Sequence, residues 1–234
     1  MKFLSGISVA AIATTALAFY TLPNRAQDAA TFSDIEGNVY AAEIEEGAKL
    51  GIVTGFPDGT YRPNDTVSKE EAVSMIIDAI DKNVTPVDLD EAPTRATSAQ
   101  QFTDVPEDRW SAKKIAWAQW NFLPAAGAAN YSGEFRPEEP ISRIDLIDFL
   151  RRSAGISKAR RKESTTLTPT QDPITFSDVA GYDLEATMTM SAYCGVASPL
   201  NEEGDAFAPE QPANRDYAVA AIVRTVKCIE NDPN

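Results

Sequence analysis

The sequence predicts an all-α fold built from three diverged copies of one helix-loop-helix repeat. Three observations predict it. A Phe-Ser/Thr-Asp tripeptide recurs at Phe32-Ser33-Asp34, Phe102-Thr103-Asp104 and Phe176-Ser177-Asp178, spaced 70 and 74 residues apart. An aromatic-x-Pro turn follows each after about thirty residues, at Tyr61-Arg62-Pro63, Phe135-Arg136-Pro137 and Phe207-Ala208-Pro209. A run of apolar residues at helical spacing, opened by an N-cap residue, follows each proline. Two markers that keep step through three copies identify a repeat rather than a coincidence.

The chain begins with Met1-Lys2 and an apolar run from Phe3 to Tyr20, in which Ala16-Leu17-Ala18 offers the small-x-small pattern of signal peptidase substrates. Residues 1–18 therefore read as a secretory signal peptide, with cleavage as late as 30 (near Ala26 or Ala30) as the alternative. The run is shorter than the ~20 apolar residues of a spanning helix, and Pro23-Asn24-Arg25 follow closely. An uncleaved anchor is the competing reading. No cysteine lies near the cleavage region, which argues against a lipoprotein. After cleavage no stable membrane span is expected.

Repeat one covers 32–81. Its first helix is expected at Tyr40 to Leu50, ended by Gly51 as a C′ glycine. Pro57-Asp58-Gly59 makes a tight turn. Ser68 then caps a second helix, with Glu71 three positions on as in a capping box, and Ala72, Val73, Ile76, Ile77 and Ile80 form its apolar stripe. A polar linker, 82–101, leads to repeat two at 102–153. There the first helix is expected at Trp110 to Phe122, and the second is capped by Ser142 with Asp145 at the box position and Ile144, Leu146, Ile147 and Leu150 behind it. The segment 154–175 reads as a second linker. It contains Lys158-Ala159-Arg160-Arg161-Lys162, a basic cluster that either touches an anionic polymer or is simply solvated. Repeat three, 176–231, has its first helix at Leu184 to Tyr193, ended by Gly195. Asn214 caps its second helix, but Tyr217 cannot complete a box.

Removing residues 1–18 leaves 216 residues and, with Lys2 gone, takes the formal charge from -14 to -15. Such an acidic chain is a poor partner for nucleic acid and anionic membrane surfaces. Histidine is absent, which removes Ser-His-Asp and Cys-His nucleophile activation and the usual imidazole metal ligands. Cys194 and Cys228 without histidine make a poor zinc site, and Asp58-Gly59 lacks the acidic spacing of a calcium loop. No metal or other cofactor is expected. In an oxidising compartment the two cysteines form a disulfide or remain as two buried free thiols.

The stretch Gly51-Ile52-Val53-Thr54-Gly55-Phe56-Pro57-Asp58-Gly59-Thr60-Tyr61-Arg62-Pro63-Asn64 closely resembles the signature of S-layer homology (SLH) repeats. The Phe-Ser-Asp opening resembles the family's opening, and Ser68-Lys69-Glu70-Glu71 its Thr-Arg-Ala-Glu motif. The resemblance spans about residues 32 to 231, close in repeat one, fair in repeat two and weak in repeat three. It implies three repeats in a pseudo-threefold arrangement around a central three-helix bundle, with grooves between neighbours. It also implies binding to wall-linked polysaccharide or peptidoglycan, often through ketal-linked pyruvate, and a place in the periplasm, cell envelope or cell surface.

A pyruvyl ketal is a carboxylate on a sugar, so a groove needs a cation, hydrogen-bond donors and an apolar face. Lys69, Arg143 and Arg215 occupy the motif's basic position, each beside a helix N-terminus whose amides favour an anion. Arginine can grip a carboxylate bidentately, whereas lysine supplies a point charge. Asp34, Asp104 and Asp178 are candidate acceptors of sugar hydroxyls, Trp110 a stacking platform, and Gly55 and Gly59 positions of close backbone approach. Each has a plainer reading: capping acids, core phenylalanines, a packed tryptophan, a solvated cation. Repeat three departs most from the pattern, with Glu202-Glu203-Gly204-Asp205 in its turn opposing a carboxylate ligand. Repeat two replaces the glycine-rich loop by Pro124-Ala125-Ala126-Gly127-Ala128-Ala129. Binding is therefore expected to rest on repeats one and two.

Three functions compete. The first is a non-catalytic wall-binding module; the repeats fill the mature chain, so it acts alone, recruits a protein partner or coats the wall. The second is an envelope structural or interaction protein whose grooves have decayed. The third, an enzyme, requires a carboxylate-pair glycosidase, but nearly every acid that can be placed belongs to a cap, turn or polar face.

Overall fold

The computed structural model describes residues 32–91, 102–123 and 133–233; the proposed signal peptide and much of the first linker lie outside the described residues. Six α-helices organise these residues: α1 (Ala41–Lys49), α2 (Lys69–Asn83), α3 (Ala112–Asn121), α4 (Arg143–Arg160), α5 (Gly181–Ala192) and α6 (Arg215–Asn231). The fold is all-α, and the only β pairing among the described residues is three isolated bridges.

Those bridges organise the interior. The residue before each N-cap (Val67, Ile141 and Ala213) is buried. The Val67 amide donates to the Ala213 carbonyl at 3.0 Å, Ala213 to Ile141 at 2.8 Å, and Ile141 to Val67 at 2.9 Å. The three segments thus close a ring of backbone bonds. Helices α2, α4 and α6 start from that ring and contact one another, while α3 lies on α2, α5 on α4, and α1 on α6. The apolar stripes read from the sequence, such as Val73, Ile76, Ile77 and Ile80, form the buried core between them.

The first two amides of each central helix are satisfied across repeats. Lys69 and Glu70 donate to the carbonyls of Glu139 and Pro137, Arg143 and Ile144 to Gln211 and Pro209, and Arg215 and Asp216 to Asp65 and Pro63. A third amide goes to a local cap. Ser68 forms a reciprocal capping box with Glu71, Ser142 accepts from the Asp145 amide, and the Asp216 carboxylate accepts from the Tyr217 amide. The expectation that these helix N-termini offer amides to an anion is therefore overturned: each donor already has a protein acceptor.

The repeated aspartate acts on the repeated turn. Amides of Tyr61 and Arg62 donate to Asp34 at 2.7 and 2.8 Å, those of Phe135 and Arg136 to Asp104, and those of Phe207 and Ala208 to Asp178. Arg62, Arg136 and Ala208 all adopt left-handed backbone, with φ of 58°, 57° and 58°, a conformation that costs non-glycine residues about 1 kcal/mol or more. The carboxylate holds that conformation by gripping two consecutive amides. The opening phenylalanine packs on the aromatic residue of the same turn in every copy, with ring centroids 5.1 to 5.3 Å apart.

Helix α4 continues through Arg160, into the stretch read as linker. The reason is Lys158, whose ammonium is wholly buried and paired with Asp232 at 2.5 Å, and also donates to the Thr166 carbonyl. The basic cluster is thus divided: Lys158 is interior, Arg160 stacks over the Trp117 ring, and Arg161 pairs with Glu163. Cys194, two residues past α5, is joined by a disulfide to Cys228 on α6, 34 positions along.

Two stability measurements follow. Asp104→Ala strips two amides of a charged acceptor, and urea titration should show a loss of about 2–4 kcal/mol; an unchanged midpoint would remove the turn-gripping role. Reducing the disulfide should lower stability by about 3 kcal/mol through the freed chain entropy, read as a lower thermal midpoint with dithiothreitol than without.

Candidate functional site

The three basic residues at the helix starts occupy different environments because the three aromatic-x-Pro turns they meet differ. Arg143 is 3% exposed. Its Nε donates to the Phe207 carbonyl at 2.7 Å and Nη2 to Ser198 at 2.9 Å, with the guanidinium over the rings of Tyr217 and Phe207 at 3.6 and 4.8 Å. Lys69 is also buried, with Glu139 3.3 Å away. It faces Asp145, whose carboxyl is pushed up by burial against the opposing effects of the Ser142 hydroxyl and the Lys69 charge. Both cations work inside a junction between repeats rather than on an open surface.

Arg215 differs. Its Nε donates to the Tyr61 carbonyl at 3.0 Å, and the guanidinium lies over the Phe56 and Tyr61 rings at 5.1 and 4.8 Å. Among the described residues no carboxylate pairs with it. The side chain is half-buried and lines a cleft of about 170 Å³ with Ile52, Val53, Thr54, Glu71, Ser74, Met75 and Trp110. The loop comes from repeat one, the tryptophan from repeat two and the guanidinium from repeat three. Trp110 is 61% exposed, so an indole face is open beside the cation. Glu71 also lines this cleft, but one carboxylate oxygen is held by the Ser68 amide and hydroxyl.

Trp110 is positioned by the residues on either side. Arg109 makes two hydrogen bonds to the buried Glu70, at 2.8 and 2.7 Å, and a third to Glu138, while the Ser111 hydroxyl donates to Glu70 at 2.5 Å. Arg109 thereby holds the Glu70 carboxyl below the usual glutamate range, outweighing burial, with Ser111 and Trp110 adding to the effect. The sequence reading missed both Arg109 and Glu70. The available signal was Glu70 itself, an acid three and seven positions before Val73 and Ile77 on the apolar face of α2.

The remaining candidates have mainly architectural tasks. The two carboxylate oxygens of Asp34, Asp104 and Asp178 accept turn amides, as above. A side chain on Gly55 would lie 2.2 Å from the Phe32 ring and 2.8 Å from the Thr60 carbonyl; its smallness serves the protein's own packing. Gly59 has φ +81° with open space around it, the ordinary demand of its turn. Of the predicted set, the structure brings Trp110 and Arg215 together. Metal chemistry finds no cluster of three or more His, Cys, Asp or Glu side chains among the described residues, and no helix there is long and apolar enough to cross a membrane.

Residues 31–73 match the model of the S-layer homology domain. The chain is 28% identical over 193 residues to an amylopullulanase of Thermoanaerobacterium thermosulfurigenes, covering 82% of this chain and 9% of that protein. It is 31% identical over 83 residues to a cellulosome-anchoring protein of Acetivibrio thermocellus, 36% of this chain and 16% of that one. It is 34% identical over 80 residues to the outer membrane protein SlpA of Thermus thermophilus, 34% of this chain and 8% of that one. The chain thus spans less than a fifth of the length of these curated relatives. The matched span includes α1, the glycine-rich loop and the first turn of α2.

Substitutions should separate architecture from exposure. Arg143→Ala leaves two buried carbonyls without a donor and removes a cation from two ring faces, a loss of about 3 kcal/mol, whereas Arg215→Ala should cost less. Equal losses in denaturant titrations would contradict the assignment. Because the folded Glu70 carboxyl titrates below its unfolded value, its contribution is complete above the unfolded value and vanishes as pH falls through the folded one. Acid titration of stability below about pH 4 should therefore be shallower in Glu70→Gln than in the parent protein.

Proposed function

We propose that this chain is a non-catalytic module that binds wall-linked polysaccharide in the cell envelope, through the cleft formed by Ile52–Thr54, Trp110 and Arg215. One observation carries the proposal: an exposed indole and a guanidinium that has no carboxylate partner among the described residues stand at one cleft against a loop of the matched domain. An indole face suits the C–H face of a sugar ring. The guanidinium suits a carboxylate on that sugar, and a ketal-linked pyruvate is the version implied by the family resemblance. The names of the cellulosome-anchoring protein and of SlpA point to the same setting, the cell surface or outer membrane. Export through the proposed signal peptide would deliver the chain there.

The cation here comes from Arg215 rather than from Lys69 or Arg143, which we assign to positioning the repeats. Burial of those two also favours a second reading for the other two junctions, as structural contacts whose grooves no longer bind.

Sedimentation with purified peptidoglycan sacculi tests the assignment. The parent protein should sediment with sacculi that retain their polysaccharide and remain in solution with sacculi stripped of it. Trp110→Ala combined with Arg215→Gln should lower binding at least tenfold while the protein stays folded, its thermal midpoint falling only by the loss of the Arg215–Tyr61 bond. Undiminished sedimentation of that double variant would sink the assignment. Mild acid removal of pyruvate should reproduce the loss if the ketal is the recognised group.

A further inference from the structure

The indole of Trp110 is 61% exposed, so packing alone leaves its rotamer poorly determined. A side chain free to rotate loses that freedom when a ligand seats on it, which weakens binding. What restrains Trp110 is a polar ladder on α2. Glu70, Ser74 and Asp78 lie four residues apart and therefore on one face of the helix. Each meets α3 or the residues leading into it. Glu70 takes Arg109 and Ser111, while Ser74 and Asp78 both accept from the Lys114 ammonium, at 2.7 and 2.6 Å.

Glu70 is the decisive rung. Its side chain is 8% exposed, and it does not line the Trp110 cleft. Both of its oxygens are occupied: Oε1 accepts from Arg109 Nη2, and Oε2 from Arg109 Nε and the Ser111 hydroxyl. The Trp110 indole N–H is a further donor toward the same carboxylate. One acid thus holds three consecutive residues, with the tryptophan in the middle. Arg109 also bonds Glu138, which ties the clamp to the proline turn of repeat two. The second residue of α4 is Ile144, an apolar side chain that cannot make such a clamp. In α6 it is Asp216, which accepts from Asn38 just ahead of Tyr40. Tyr40, however, is 2% exposed and is held by packing. At Trp110 an acid clamp meets an exposed ring.

We propose that Glu70 is a positioning residue of the Trp110 cleft: it fixes the indole beside Arg215 before a ligand arrives, and acts on affinity only through that indole. This role rests on the cleft being the polysaccharide site.

Sacculus sedimentation and fluorine NMR of protein carrying 5-fluorotryptophan test it together, with the Trp110 resonance assigned by Trp110→Phe. Glu70→Ala should move that resonance toward free 5-fluorotryptophan, while the resonance of the buried Trp117 stays in place. The same variant should lower sacculus affinity about fivefold. In a Trp110→Ala background it should add nothing, because an effect carried by the indole disappears with the indole. Asp78→Asn, at the far end of the ladder, should lower the thermal midpoint without moving the Trp110 resonance or the affinity. Glu70→Gln keeps the volume and one acceptor oxygen, and should give the same changes at smaller size; it decides the matter if Glu70→Ala fails to fold. An unmoved Trp110 resonance, an unchanged affinity, additive losses in the double variant, or equal effects from Asp78→Asn would each overturn the role. A parent protein that ignores sacculi sinks the cleft reading instead, and the fluorine shift still shows whether Glu70 holds the indole.

Discussion

The architecture depends on the closed ring of three backbone hydrogen bonds at Val67, Ile141 and Ala213. Each of these residues precedes an N-cap, so the ring fixes where α2, α4 and α6 begin and how they approach one another. A helix start normally leaves amides in need of acceptors. Here two per helix are supplied by the proline turn of the following repeat in the cycle. Tertiary closure and helix capping are therefore one interaction, and no repeat can cap its own central helix completely. The outer helices complete the same logic, since each covers the central helix of the preceding repeat in that cycle.

This closure dictates what a groove is made of. The loop 52–54 and the helix start at Arg215 face each other because repeat three docks its helix onto the turn of repeat one. At the other two junctions the same docking places Lys69 beside Glu139 and buries Arg143 against two carbonyls and two rings. The basic position thus has a common structural task, gripping the neighbouring turn. Only where the grip uses Nε alone, as at Arg215, does the rest of the guanidinium line a cleft.

Helices, caps and the repeat itself were readable from local signals. The space between opening tripeptide and turn, with Gly51 and Gly195 as stops, gave α1, α3 and α5 to within a few residues. Ser68, Ser142 and Asn214 marked the starts of α2, α4 and α6, although the Asn214 side chain makes no cap bond. These features are set by residues within one turn of each other. The partners of Lys69, Arg143 and Arg215 lie 70, 64 and 154 positions away, beyond anything local periodicity reports. Lys158 shows the same limit: within a basic run it looks solvated, and only the fold brings Asp232 to it. The aspartate of the opening tripeptide was visible as a repeat marker, but its grip on left-handed turn residues required the turn's backbone angles. Trp110 and Arg215 were each recognisable by type and position; that they share a cleft was not.

The repeats also diverge unevenly for a physical reason. Repeat three has lost the turn arginine, replaced by Ala208, and the box acid, replaced by Tyr217, so by motif alone it looks spent. Yet Ala208 keeps the left-handed backbone because Asp178 still holds its amide, and Tyr217 serves as the ring beneath Arg143. Its own turn packs against Arg143 while its helix start reaches repeat one. A repeat's turn and its helix therefore belong to different junctions, and each can drift without the other. Degeneration of the repeat-three turn leaves Arg215 in place at the cleft of repeat one. The disulfide between Cys194 and Cys228 ties that same repeat's outer helix end to its central helix. A copy that has diverged in sequence can thus remain indispensable to a neighbour's cleft, because the cyclic closure builds each cleft at a junction rather than within a repeat.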